Sequence, residues 1–236
     1  MESTRLWLVK PRGSFVTLAG RDNIYHTNSM AMLTLSSVPA EEAAPFYKDF
    51  LAAFPDGRVG IHLQAQVVEL EELCAGLTES GAMFRYAAGK WTIKEVIGHL
   101  LDTERVFAYR LLRISRGDVT ELPGFDETTY APEGQFDLRS VEELVSEFKL
   151  QRASTLALVN GIPPAAWPRV GTANGFRTSA RALVYIILGH TAHHCRVLRE
   201  RYRLPATPQV RRSLSFVSSR GKRSSLPSGS AIRITS

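Results

Sequence analysis

The sequence predicts an all-α protein: a four-helix bundle with a short lead-in helix and disordered terminal extensions. Four segments of about 20 residues between positions 56 and 202 repeat apolar residues at the i, i+3, i+4, i+7 spacing of an amphipathic helix. Glycine and proline punctuate the stretches between them, and no strand signal of comparable strength appears. Four such helices bury their stripes best against one another.

Each element has its own justification. Pro39 to Phe54 reads as the lead-in helix, with Glu41 and Glu42 in its first turn. From about Asp56 to Leu77, the residues Val59, Leu63, Val67, Leu70, Leu73 and Leu77 make one stripe. Thr78 to Lys90 is a connection. The second bundle helix opens on a capping box, Thr92 and Glu95, in which each side chain satisfies a backbone N–H of the first turn. It carries Ile93, Val96, Ile97, Leu100, Phe107, Leu111 and Ile114 inward and ends near Gly117. A loop containing Leu122-Pro-Gly-Phe-Asp-Glu127 runs to about Asp137. The third helix spans about Ser140 to Asn160. Pro163, Pro164 and Pro168 then mark a loop, and Asn174-Gly175 is the signature of a tight hairpin. The fourth helix covers about Ser179 to Tyr202, and Pro205 ends it.

These elements divide the chain into an unstructured extension over 1–38, a bundle domain over 39–205 and a basic, Ser/Arg-rich tail over 206–236. Of the 236 residues, 44% are hydrophobic, which suits a globular core, and no apolar run reaches the roughly 18 residues of a membrane span. The net charge of +6 and a pI of about 9.5 invite a nucleic-acid reading, but the charge is misplaced for it. Residues 1–35 carry +2 and the tail carries +6, leaving −2 on 36–205. A basic recognition face on the folded body is therefore not supported. Leu6 to Val9 is too short for a secretory core, so a start at Met30 or Met32 is favoured over a targeting peptide. Cys74 and Cys195 form no CxxC pair or disulfide framework, which points to a reducing, cytoplasmic setting. Cys195 is read as a core residue rather than a reactive thiol.

The chemistry concentrates in histidines. The fourth helix reads His190-Thr-Ala-His193-His194. Residues i and i+4 share a helix face, close enough for two imidazoles to reach one ion. The apolar stripe through Leu183 and Ile187 passes through His190 and His194, so both point inward, with His193 one step round. Buried neutral imidazoles need partners for both nitrogens. A metal ion supplies one partner; a polar network between helices is the alternative. His99, on the second helix, is the third candidate, although it lies about 120° from the centre of its apolar face at ~100° per residue. Three protein ligands leave a position for water or substrate. Asp102 follows His99 by three residues and is either its orienting partner or a solvated acid. Glu104 falls in the middle of the apolar face, so it needs a partner, either an arginine from another helix or a group at the metal. Asp102, Glu104 and His193 are the acid–base candidates. His62 and His26 are read as ordinary.

The segments Tyr86-Ala-Ala-Gly-Lys-Trp-Thr-Ile-Lys-Glu-Val-Ile-Gly-His99-Leu, Asp102-Thr-Glu104-Arg and Gly189-His190-Thr-Ala-His193-His194 resemble the DinB/YfiT-like superfamily. Leu122-Pro-Gly-Phe-Asp-Glu127 and Gly171-Thr-Ala-Asn-Gly175 match a subgroup of it, and the resemblance covers about 45–204. It implies a four-helix bundle, a homodimer, and one divalent ion on His99, His190 and His194. The ion would be zinc or nickel, with iron or manganese as further candidates. It also implies a small-molecule substrate and a hydrolase using a metal-activated water. The alternatives are an S-transferase using a low-molecular-weight thiol, and a non-catalytic metal-binding stress-response protein.

Overall fold

The computed structural model describes residues 33–205. The expected start at Met30 or Met32, His26 and the basic tail lie outside the described residues.

The ordered body begins earlier than the boundary at 39. Residues 33–38 form an extended strap: Leu35 is buried, its N–H donates to the Gly57 carbonyl, and its own carbonyl accepts from the Tyr185 hydroxyl at 3.0 Å. Leu33 and Val38 pack on the same core. The lead-in is not one helix. It breaks into 3₁₀ turns at Ala40–Glu42 and Pro45–Tyr47, then α1, Lys48–Ala52. Pro45 is the reason: it lacks an N–H and pushes the preceding Ala44 out of the helical region, to ψ 142.

The four long helices are α2 (Val59–Cys74), α4 (Ile93–Ser115), α6 (Val141–Asn160) and α7 (Ala180–Glu200). The first is shorter than expected. Gly57 and Gly76 adopt positive φ just outside it, and Asp56 folds back to accept from the Arg58 backbone. The predicted Thr92/Glu95 box caps α4, and Gly117 at φ 81 follows its end. A second box, Ser140 with Glu143, caps α6, and the Ser179 hydroxyl caps α7. Two short helices stand in stretches expected to be loop: α3 (Glu79–Ala82), capped by Thr78, and α5 (Glu127–Glu133), capped by Asp126. The Asn174-Gly175 signal is a hairpin. β1 (Val170–Ala173) pairs antiparallel with β2 (Phe176–Ser179), both turn residues having positive φ as a two-residue type I′ turn requires.

In the bundle, α2 and α4 each pack against both α6 and α7, so consecutive α2 and α4 sit on a diagonal, as do α6 and α7. This order makes α4 and α7 neighbours and brings the histidines of both into one space. Two glycines let aromatics dock closely on the helices that carry these histidines. A Cβ on Gly98 would stand 2.2 Å from the Phe136 ring, and one on Gly189 would stand 2.3 Å from Phe50 Cβ. Each glycine immediately precedes a histidine of interest. The close approach of an aromatic there requires a residue without a side chain.

Between the apolar layers lies one saturated polar network. Arg152 of α6 is 0% exposed, and all five of its N–H groups are used. Nε and Nη2 donate to Glu104 of α4 at 2.9–3.1 Å, Nη1 to the Leu63 carbonyl and Gln66 Oε1 of α2, and Nη2 to Thr191 Oγ1 of α7. One guanidinium thus ties all four helices together.

Candidate metal centre

His99 reaches the site because α4 is buried on several sides, by α6, by α7 and by Phe136 docked on Gly98. A single apolar stripe does not describe such a helix, and His99 is 7% exposed despite its place on the wheel. Its Nε2 stands 2.9 Å from His190 Nε2, and the ring of His194 lies 4.8 Å from that of His99 and 4.6 Å from that of His190. One ligand nitrogen from each of the three lies within 4.8 Å of the others. Nitrogens bound to one ion at ~2.0–2.1 Å stand roughly 3–3.5 Å apart; the His99–His190 pair is at about that spacing, and the set as a whole is somewhat wider.

The electrostatics suit a cation-binding trio. Burial lowers His99 to about 4 and His194 to about 3, and it holds His190 well below its ordinary value; repulsion from neighbouring histidines adds to each. All three are neutral at pH 7 and offer lone pairs. His194 Nδ1 is buried without a hydrogen-bond partner. A buried orphan nitrogen is costly, and metal ligation is one way to satisfy a histidine nitrogen in such a place. The donor set fits a divalent ion of intermediate softness. Among the described residues no fourth His, Cys, Asp or Glu joins the cluster.

The acid–base candidates separate. His193 is half-buried, lies beside His194 at a ring separation of 5.0 Å, and lines the cleft described below. Asp102 does not orient His99. It pairs with Arg105, while Thr103 Oγ1 stands 3.3 Å from His99 Nδ1, because the i+4 residue, not i+3, stacks over that imidazole. Glu104 is 3% exposed and its carboxylate is taken up by Arg152. The expectation of an arginine partner holds; the structure brings neither acid to the cluster. Cys195 is fully buried, and burial pushes its thiol up to about 12, as it does for Cys74. His62 lies apart, paired with Asp56 at 2.8 Å.

The histidines form the floor of a cleft of about 510 Å³ walled by aromatic residues, among them Phe46, Tyr47 and Phe50 from the lead-in, Trp91, Phe107 and Phe125. Trp91 and Phe125 reach the cleft from connections between helices, whereas Trp167, in a later connection, is packed in the core. A second cavity of about 460 Å³, lined by Tyr86, Trp91 and Tyr202, reaches His193 and His194 from another side. Thr103, Arg110 and the lead-in aromatics were missed from sequence. The signal for the first two was there: Thr103 and Arg110 lie within about 40° of His99 on the helical wheel at ~100° per residue.

The family profile of the DinB superfamily matches residues 62–198, more than half of the chain. The chain belongs to the DinB superfamily. Among solved structures, YfiT from Bacillus subtilis is similar at 16% identity, with a TM-score of 0.58 over 74% of this chain and 96% of that one. It is described as a probable metal-dependent hydrolase with an unusual four-helix bundle topology. No curated protein matches. The matched DinB region contains all three clustered histidines and Arg110 but stops short of the strap and of α1. The aromatics Phe46, Tyr47 and Phe50 that cover the cleft therefore come from outside it. Among the described residues no helix of this DinB-superfamily chain is long and apolar enough to cross a membrane.

Proposed function

We propose that this protein is a metal-dependent hydrolase of a small molecule, with the ion held by His99, His190 and His194. The observation that carries the reading is the convergence of three neutral imidazoles, His99 buried and His190 and His194 partly so, at the floor of an open cleft. Three ligands below an accessible cavity are the pattern of catalytic zinc sites, whereas structural sites are closed by a fourth. When bound, a divalent ion supplies Lewis acidity, polarising a substrate oxygen and making a water acidic enough to attack at neutral pH.

The chain supplies the rest. Phe50, Tyr47 and Phe107 exclude bulk water and hold an apolar substrate body against the histidines. To His193 we assign the proton transfer: it takes a proton from the attacking water and returns one to the leaving group as the acyl bond breaks. Its half-buried imidazole is kept neutral by burial and by Arg196. Thr103 fixes the ring of His99.

Turnover of a panel of carboxylic esters and amides, lost on chelation, restored by zinc or nickel and absent in His190→Ala, is the expected result. One observation favours a second reading. The two cavities meet at Trp91, His193 and His194, which would let a low-molecular-weight thiol and an electrophile approach from different sides. Thiol conjugation without ester or amide hydrolysis would replace the hydrolase by this S-transferase.

A further inference from the structure

Two arginines are buried in the bundle, and their surroundings differ. Arg152 has every donor engaged and a carboxylate beside it. Arg110 of α4 is 4% exposed, yet among the described residues its one hydrogen bond is from Nη2 to the Pro123 carbonyl at 2.7 Å. Its Cζ lies over the rings of Phe107 at 5.4 Å and Phe125 at 5.9 Å. Among the described residues no carboxylate comes within ion-pair distance of it. A buried cation without a counter-ion is unfavourable, and ring faces and one carbonyl compensate it only in part.

The setting of Arg110 is built rather than loose. Leu122 donates to the Thr172 carbonyl and Asn174 to the Leu122 carbonyl, so the Leu122–Phe125 segment is zippered to the hairpin. That holds the Pro123 carbonyl and the Phe125 ring around the guanidinium. Arg110 and Asn174 line the same cleft as the histidines, with Phe107 between: its ring is 5.4 Å from Arg110 Cζ and 6.5 Å from the His190 ring. Tyr47 is near enough for the charge of Arg110 to act on its phenol. Glu127 also lines the cleft, but it is exposed and does not pair with Arg110.

We propose that Arg110 binds an oxyanion of the substrate, a carboxylate or a phosphate, at the end of the cleft away from the histidines. The substrate class is then a small amphiphilic acid. Its anion pairs with the guanidinium, its apolar body lies across Phe107, and its scissile bond faces the histidines. The planar fork of Arg110 is suited to either oxyanion. The substrate assignment rests on the hydrolase reading above; the anion site itself does not.

The test uses the full chain, purified with its metal, and calorimetric titration with 3-phenylpropionate, phenyl phosphate and the neutral 3-phenylpropanamide. The expected result is at least tenfold tighter binding of one anion than of the amide. Arg110→Met should remove that preference and leave amide affinity unchanged, while His190→Ala should keep it. Arg110→Lys, which retains charge but not the fork, should fall between. Should Arg110→Met fail to fold, the Nε–H resonance of Arg110 in the wild-type protein should still shift on adding 3-phenylpropionate or phenyl phosphate. Dependence on Arg110 for either anion supports the site, and the stronger of the two identifies the oxyanion. Three results overturn the proposal: no anion preference in the wild type, a preference that survives Arg110→Met, or a preference lost in His190→Ala instead, which would put the anion on the metal. An Arg110-dependent preference in a protein that holds no metal would sink the hydrolase reading and leave the anion site standing.

Discussion

Glu104→Ala removes the counter-ion of a guanidinium that has no access to water. Arg152 is 0% exposed and Glu104 is 3% exposed, and the pair shares three contacts at 2.9–3.1 Å. After the substitution, Nε and one Nη2 hydrogen have no acceptor, and the charge remains buried among Phe148, Leu63 and Thr191. Breaking a buried pair from one side costs about 3–5 kcal/mol. For a domain of this size that lowers Tm by roughly 6–20 °C. Urea denaturation of metal-loaded wild type and variant measures the loss directly, provided the slope stays constant. The double variant Glu104→Met, Arg152→Met should recover part of the loss, because charge and unsatisfied donors leave together. A loss below about 1 kcal/mol in Glu104→Ala would refute the network as a structural tie. A second result would refute it in another way: a Glu104→Gln protein that is folded and metal-loaded yet inactive. The carboxylate would then be acting in the chemistry.

Three further predictions concern the site. Gly189→Ala should cost about 1–3 kcal/mol and expel Phe50 from the cleft, since the new methyl would stand 2.3 Å from Phe50 Cβ; unchanged unfolding would contradict that packing. Thr103→Val removes the oxygen 3.3 Å from His99 Nδ1 and should weaken metal binding about tenfold in competition with a chromophoric chelator; equal affinity would show that His99 is oriented otherwise. In metal-free protein the folded state holds His99 at about 4 and His194 at about 3, against an ordinary value of 6.5. Between those values the unfolded chain binds more protons, so stability is full above pH 6.5 and falls as pH drops toward 4, by about 1.4 kcal/mol per pH unit for each histidine. A flat pH dependence across that window would contradict the burial of neutral rings.

Much of this was legible in the residues. The Thr92/Glu95 box is a local device, and it caps α4 where the spacing put it. The Asn174-Gly175 turn likewise needs only its own two residues, because positive φ at both suits few others. His190 and His194 follow from helical period alone. What was hidden depends on the diagonal order of the helices. That order places α4 beside α7, so His99 is buried on a flank that its own stripe did not reveal. It also carries Arg152 to Glu104, which sequence could say only must exist somewhere. Asp102 had two readings, partner of His99 or solvated acid; i+3 and i+4 are near neighbours on a wheel, and it is Thr103 that takes the position over the ring, leaving Asp102 partly solvated beside Arg105. The lead-in failed as a helix at Pro45, a residue whose effect was readable but was outweighed by the surrounding helical pattern. The packed strap at 33–38 left no signal, since its bonds are made by backbone to distant partners.

The central claim is that three histidines from two helices hold one ion. Metal analysis of protein purified without chelator or affinity metal tests it most directly, on wild type and on the His99→Ala, His190→Ala and His194→Ala variants. The account predicts about one divalent ion per chain in the wild type and loss of most of it in each variant, with helical content retained. Full occupancy in all three variants, or no bound ion in the wild type, would contradict it.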